Sequence, residues 1–151
     1  MRARLGAMKR RPQPPVETEL DRDVCKLVHR FTHRLDQHIR RVAERLDLTP
    51  SQVIALRELS EPITARELAT RMSCEPSNAT FVLDRLEEQA LIRREPHPSD
   101  RRAKQIVLTP AGTRQRALAV ELLNADSPLT SLTAAQQRAL RDLLQVMAAE
   151  D

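Results

Sequence analysis

The residues with the most chemical promise lie in a polar run, Pro96-His-Pro-Ser-Asp-Arg-Arg-Ala103. Its Arg101 and Arg102 carry planar donor forks that match phosphate oxygens and guanine edges. A narrow minor groove of DNA has enhanced negative potential and draws in such side chains. A second set, Ser77, Asn78, Thr80, Phe81, Asp84 and Arg85, falls on one side of a helical stretch. There Asn can pair bidentately with adenine, and Ser or Thr can contact phosphate or base. Arg85 reads either as a phosphate ligand or as half of an ordinary surface pair with Asp84. A third set is Cys25, His29, His33 and His38. His29 is one helical turn after Cys25 and in place to lower its thiol pKa. The plainer reading is a Cys packed as a small hydrophobe. His29 and His33 have metal-competent spacing, with Cys25 and His38 as the only further ligands to invoke. Interface or solvent histidines are the simpler expectation, and no metal or other cofactor is expected. Cys74 is read as packing in a turn.

The composition narrows the function classes. The 151 residues include 25 basic and 21 acidic side chains, a net of +4, and only three of the basic ones are Lys (Lys9, Lys26 and Lys104). An arginine excess suits nucleic acid but also arises from base composition alone, so it decides nothing by itself. Gly-rich phosphate loops, nucleophile elbows and HExxH motifs are absent, and two glycines make a nucleotide cradle improbable, so no enzyme is expected. No apolar run approaches the ~18 residues of a membrane helix. The first residues carry no apolar stretch of the secretory kind. With two lone thiols and no CxxC spacing, a reducing cytoplasm is the expected location.

The elements that must position these groups are mostly helical. Aromatics make up 1% of the chain and hydrophobic residues 40%, so the core is built from Leu, Val, Ile and Ala. Residues 1–16 are basic, Pro-rich and without periodicity, and read as a flexible tail. From 17 to 47, Leu20, Val24, Leu27, Val28, Phe31, Leu35, Ile39, Val42 and Leu46 recur at steps of three and four. A stripe that long on a small protein needs a partner, and self-association supplies one. Thr49-Pro50 opens a second helix. The Thr64/Glu67 pair is a capping box opening a third, with Leu68, Ala69 and Met72 inward. A turn at Ser73–Pro76 leads to a helix ending near Gln89, with Ala79, Val82, Leu83 and Leu86 inward. Two strand-like runs, 91–95 and 104–109, flank the Arg-bearing loop. A helix-turn-helix followed by a β-hairpin is a winged helix. Thr109-Pro110 opens a helix to about 125, and Thr133/Gln136 caps a last one over about 134–149. Leu140, Leu143, Leu144 and Met147 share a face of that last helix. The first helix is the expected partner of both closing helices. The expected fold is thus mainly α with a small β-hairpin wing. It divides into a tail (1–16), an N-terminal dimerisation helix (17–47), a winged helix-turn-helix domain (48–109) and C-terminal dimerisation helices (110–151).

This order resembles the MarR family of regulators. The resemblance rests on Ile63–Met72, on Val82-Leu-Asp-Arg-Leu-Glu87 followed by Ala90-Leu-Ile-Arg93, on Asp100-Arg101-Arg102 as a D-x-R wing signature, and on Leu108-Thr-Pro-Ala-Gly112 as L-T-x-x-G. It covers roughly residues 17–149. Ala90 stands where family members usually carry Gly, which matters if φ is positive there. The resemblance implies a homodimer with both termini in the interface, recognition helices in major grooves and wings in minor grooves. By position, Arg102 becomes the minor-groove residue, Asp100 orients it through a salt bridge, and Arg101 serves phosphate. Ser77, Asn78, Thr80 and Arg85 become the recognition-helix contacts. Family members often bind a small effector between dimer helices and reader, or sense oxidants through Cys. Cys25 is placed like the reactive Cys of the peroxide-sensing branch, but that branch uses Tyr hydroxyls, and the urate-binding branch a Trp. This chain has neither Tyr nor Trp.

The expected function is a homodimeric, sequence-specific repressor of double-stranded DNA, acting on a pseudo-palindrome and released by a small ligand. An oxidant sensor working through Cys25 is one alternative. A winged-helix protein-interaction module without DNA binding is another, since fold alone does not fix function. The Asp100-Arg101-Arg102 run and the polar helix face argue against the module, which needs neither.

Overall fold

Threonine hydroxyls open five of the six helices of the described residues, 18–149, in the computed structural model. The elements in order are α1 (Glu19–Leu46), α2 (Pro50–Glu58), β1 (Ile63–Thr64), α3 (Ala65–Arg71), α4 (Pro76–Glu88), β2 (Ile92–Pro96), β3 (Lys104–Leu108), α5 (Pro110–Ala125) and α6 (Ala134–Ala148). The tail expected over 1–16 lies outside the described residues. Thr18, Thr49, Thr64 and Thr133 each close a reciprocal capping box with Asp21, Gln52, Glu67 and Gln136. Each box satisfies two backbone donors that a helix start otherwise leaves open.

Three helices end in the same way. The N–H of Leu48, Cys74 and Leu91 donates back to the carbonyl of Ala43, Ala69 and Leu86, at 3.0, 3.0 and 2.9 Å. Such Schellman closures need a left-handed residue just past the helix, usually Gly. Here Asp47, Ser73 and Ala90 hold that place with φ of 53°, 50° and 56°. The positive φ expected to matter at Ala90 is therefore real. Ala has no side-chain polar group to offset it, unlike Asp or Ser.

Two apolar clusters follow. The larger joins Ala55, Leu56, Leu59, Ile63, Leu68, Val82, Leu83, Leu86, Ile92 and Ile106, and so unites α2, α3, α4 and the sheet. The inward residues expected on α4 are all in place, and Met72 of the α3 end is only partly buried. The smaller cluster, Val42, Ala43, Val53, Ala119 and Leu123, packs the C-terminal half of α1 on α2 and α5. The β-hairpin is not alone. β1 adds a third antiparallel strand in the order β1-β3-β2, with Ile63 opposite Ile106 and Thr64 opposite Gln105. Two residues give no readable alternation, so sequence periodicity passes over this strand.

α1 covers α5 as expected but does not cover α6. Leu143, Val146 and Met147 of α6 stay exposed, as do Leu20, Val24, Leu27 and Val28 of α1, with Leu20 71% exposed. An apolar groove of about 400 Å³ between Phe31, Leu35, Leu129, Leu140 and Leu144 runs between these surfaces.

Candidate nucleic-acid interface

α4 is fixed by four wholly or nearly buried residues, Ala79, Val82, Leu83 and Leu86. That burial leaves Ser77, Asn78, Thr80, Phe81, Asp84 and Arg85 exposed on the other side, as expected. Asn78 borders an open groove of about 780 Å³ shared with Arg66 and Thr70 of α3 and with the Ser73–Pro76 turn. The Thr80 hydroxyl donates to the Pro76 carbonyl at 3.0 Å and keeps its lone pairs outward as acceptors. Arg85 does not pair with Asp84. It pairs with Glu88 at 3.1 Å and lies over the Phe81 ring, 5.4 Å from its centroid.

Asp84 is taken by a residue that the sequence reading did not single out. Arg94, on β2, donates to Asp84 at 2.6 Å and also pairs with Glu87. Its side chain is 22% exposed, less than any of the other ion-paired arginines of the described residues. One guanidinium therefore clamps the base of the wing to the outer edge of α4. Nothing in the order of residues reveals this, because the partners are ten and seven positions away and the strand register selects which Arg faces α4. Arg71 does similar work behind α3, bonding Glu61 at 2.7 Å and the Glu58 carbonyl at 3.2 Å.

The wing tip is a tight turn. Ala103 N–H donates to the Asp100 carbonyl at 3.1 Å, and His97 N–H to the Ala103 carbonyl at 3.0 Å. The Asp100 carboxylate accepts from the backbone N–H of Arg102 at 2.9 Å. The expected salt bridge from Asp100 to the Arg102 side chain is not among the ion pairs of the described residues. Asp100 shapes the backbone instead, as Asx turns do. Both Arg101 and Arg102 are exposed, and neither guanidinium has a hydrogen bond or ion pair among the described residues.

The wing and the following helix meet at Thr109. Its N–H donates to the Leu91 carbonyl at 3.0 Å and its hydroxyl to the Ala90 carbonyl at 2.7 Å, while the hydroxyl accepts from Gly112 N–H at 3.0 Å. A Cβ at Gly112 would sit 1.8 Å from the Leu91 oxygen. The L-T-x-x-G pattern is therefore a steric requirement of this junction.

The other candidates separate. Cys25 is exposed on α1 and Cys74 half-buried in the α3–α4 turn, and both thiols are free. His33 bonds Gln37 at 2.9 Å. His38 is buried and donates through Nε2 to the Leu123 carbonyl at 2.9 Å, joining α1 to α5. No cluster of three metal-ligating side chains occurs among the described residues. No described helix is long and apolar enough to cross a membrane. Glu67 carries a pKa shift. Bonds from the Thr64 backbone N–H and hydroxyl hold its carboxyl below the usual range.

Residues 48–104 match the family model described as the MarR family. The chain is 31% identical over 94 residues to an uncharacterised HTH-type transcriptional regulator, YsmB, of Bacillus subtilis (strain 168), across 61% of this chain and 64% of that protein. It is 37% identical over 71 residues to the HTH-type transcriptional repressor MdtR of the same organism, across 46% of each. The alignments thus span under two thirds of either relative. Among solved structures, a mutant MarR from E. coli complexed with operator DNA superposes with a TM-score of 0.70 at 26% identity, covering 84% of this chain and 94% of that one. CouR from Rhodococcus jostii RHA1, bound to p-coumaroyl-CoA, superposes with a TM-score of 0.77 at 27% identity, covering 87% and 96%.

Proposed function

We propose a function from the premise that this chain belongs to the MarR family of winged helix-turn-helix transcription regulators. It is a homodimeric repressor that binds a pseudo-palindromic operator in double-stranded DNA. The observation that carries this reading is the pairing of an exposed polar α4 face with a wing tip bearing two unpaired arginines, the two locked together by Arg94. In this arrangement α4 enters a major groove, where Asn78 and Arg85 face base edges. Arg102 enters the neighbouring minor groove and Arg101 meets phosphate. The operator-bound MarR supports the same use of the fold, and the repressor MdtR supports the sign of regulation.

The uncovered stripes of α1 and α6 favour the homodimer, since exposed Leu, Val and Met in one contiguous region mark an association surface. Two-fold symmetry then sets half-sites about one turn, roughly 10 bp, apart. A small-molecule effector fits the cavity of about 380 Å³ lined by Asp36, Ile39, Arg40, Ile54, Met72 and Cys74. That cavity touches both the long helix and the reader turn, and the acyl-CoA-bound CouR supports ligand control of this fold.

Selection of DNA by the purified protein at about 150 mM salt tests the reading, because non-specific phosphate binding is weakened there. Recovery of a pseudo-palindrome is the expected result. Arg102→Ala then lowers affinity and flattens the salt slope by about 1 for each wing. Unchanged affinity in that variant removes Arg102 from the interface. Binding with no enriched motif removes the sequence-specific repressor.

A further inference from the structure

Phe81 is out of place on a surface built for phosphates and hydrogen bonds. Successive helix residues advance by about 100°. Ala79, Val82, Leu83 and Leu86 are the buried residues of α4, and by that spacing Ser77, Phe81, Asp84 and Glu88 centre on the opposite side. Phe81 is thus near the middle of the outward face, about 40° from Ser77, and is 62% exposed. It sits on α4, whereas the apolar stripes that suit a second copy of the chain belong to α1 and α6. Its recorded ring partner is Arg85, one turn on, whose guanidinium lies 5.4 Å from the ring centroid. Arg85 in turn holds Glu88 at 3.1 Å.

A phenyl ring donates and accepts no conventional hydrogen bond, so it has no use for phosphate or for polar base edges. On the floor of the major groove the one apolar group is the C5 methyl of thymine. Arg is the side chain that most often grips guanine O6 and N7, and an aromatic face steadies a guanidinium by cation–π attraction. We propose that Phe81 and Arg85 act as one reading unit, with the ring seated on a thymine methyl and the guanidinium exchanging Glu88 for the adjacent guanine. Each operator half-site then contains a thymine beside a guanine under α4. This rests on the reading that α4 enters a major groove.

The test uses the full chain and the operator recovered by selection. Each thymine is replaced in turn by 2′-deoxyuridine, which removes the methyl and nothing else. One thymine per half-site is expected to matter, with affinity falling about fourfold, the worth of one buried methyl group. In Phe81→Ala the same replacement has no effect, and Phe81→Leu keeps part of the dependence. Arg85→Ala, put through a fresh selection, loses the preference for the neighbouring guanine. Phe81 is exposed, so the variants keep the wild-type unfolding curve. Indifference to every deoxyuridine, or full methyl dependence in Phe81→Ala, overturns the reading unit while leaving the regulator intact. Failure to recover any operator overturns both.

Discussion

Gly112→Ala puts a methyl group where the structure has no room. The added carbon would lie 1.8 Å from the Leu91 carbonyl oxygen and 2.8 Å from its carbon, both backbone atoms that cannot swing aside. The same oxygen accepts the Thr109 N–H at 3.0 Å, so moving it breaks the bond that joins the wing to α5. Overpacking of this kind costs about 1–3 kcal/mol, and loss of the hydrogen bond adds about 1 kcal/mol. Ala is intrinsically better in a helix than Gly by about 0.5–1 kcal/mol, which offsets part of this. The net is a destabilisation of about 1–3.5 kcal/mol. For a chain of this size that lowers Tm by roughly 2–14 °C. Thermal unfolding followed by circular dichroism, at matched protein concentration because association shifts Tm, reads the change directly. The sign is the test. Without the clash, helix propensity alone predicts a slightly raised Tm, so an equal or higher Tm in Gly112→Ala refutes the argument that this glycine is sterically required.

Ala90→Gly should work in the opposite direction. It removes the left-handed strain at φ 56° and, net of the freer unfolded chain, raises stability by about 0.5–1 kcal/mol. Chemical denaturation with an unchanged m-value checks it, and a lowered midpoint counts against it. Glu67 gives a pH signature. Its carboxyl is held below the usual range by Thr64, so its contribution is present above the ordinary glutamate pKa and is lost as pH falls through the lowered folded value. Glu67→Gln should flatten that acid limb of the stability curve, and an unaltered limb would show that the capping box is not its source. Leu27→Asp combined with Leu144→Asp places charges on the exposed apolar faces of α1 and α6. Sedimentation equilibrium should show a shift to monomer, and an undisturbed dimer would move the interface elsewhere.

Much of the architecture was legible along the chain because its signals are local. A Thr followed by Pro, or standing three residues before Gln or Glu, states where a helix begins. The Thr-Pro mark at Thr49 and the Thr/Glu and Thr/Gln marks at Thr64 and Thr133 were read correctly. The three-and-four spacing of Ala79, Val82, Leu83 and Leu86 decides which face of α4 is buried, and hence that Ser77, Asn78, Phe81 and Arg85 face outward. The paired arginines of the wing tip were equally plain, since a polar run between two apolar strands has nowhere to go but the surface.

What the tertiary structure alone decided are the relations between distant segments. Sequence placed Asp84, Arg85, Arg94 and Asp100 but assigned their bonds wrongly or not at all. Asp84 serves Arg94, Arg85 serves Glu88 and Phe81, and Asp100 serves the Arg102 backbone. A charged side chain several ångströms long can reach many partners, and which one it takes depends on strand register and helix packing rather than on its neighbours in the chain. β1 escaped notice because two residues carry no period, and it exists only where Ile63 meets Ile106. The open face of α6 is likewise a packing outcome. The hydrophobic pattern states that Leu143 and Met147 need cover, and only the arrangement of helices shows that α1 of the same chain does not supply it.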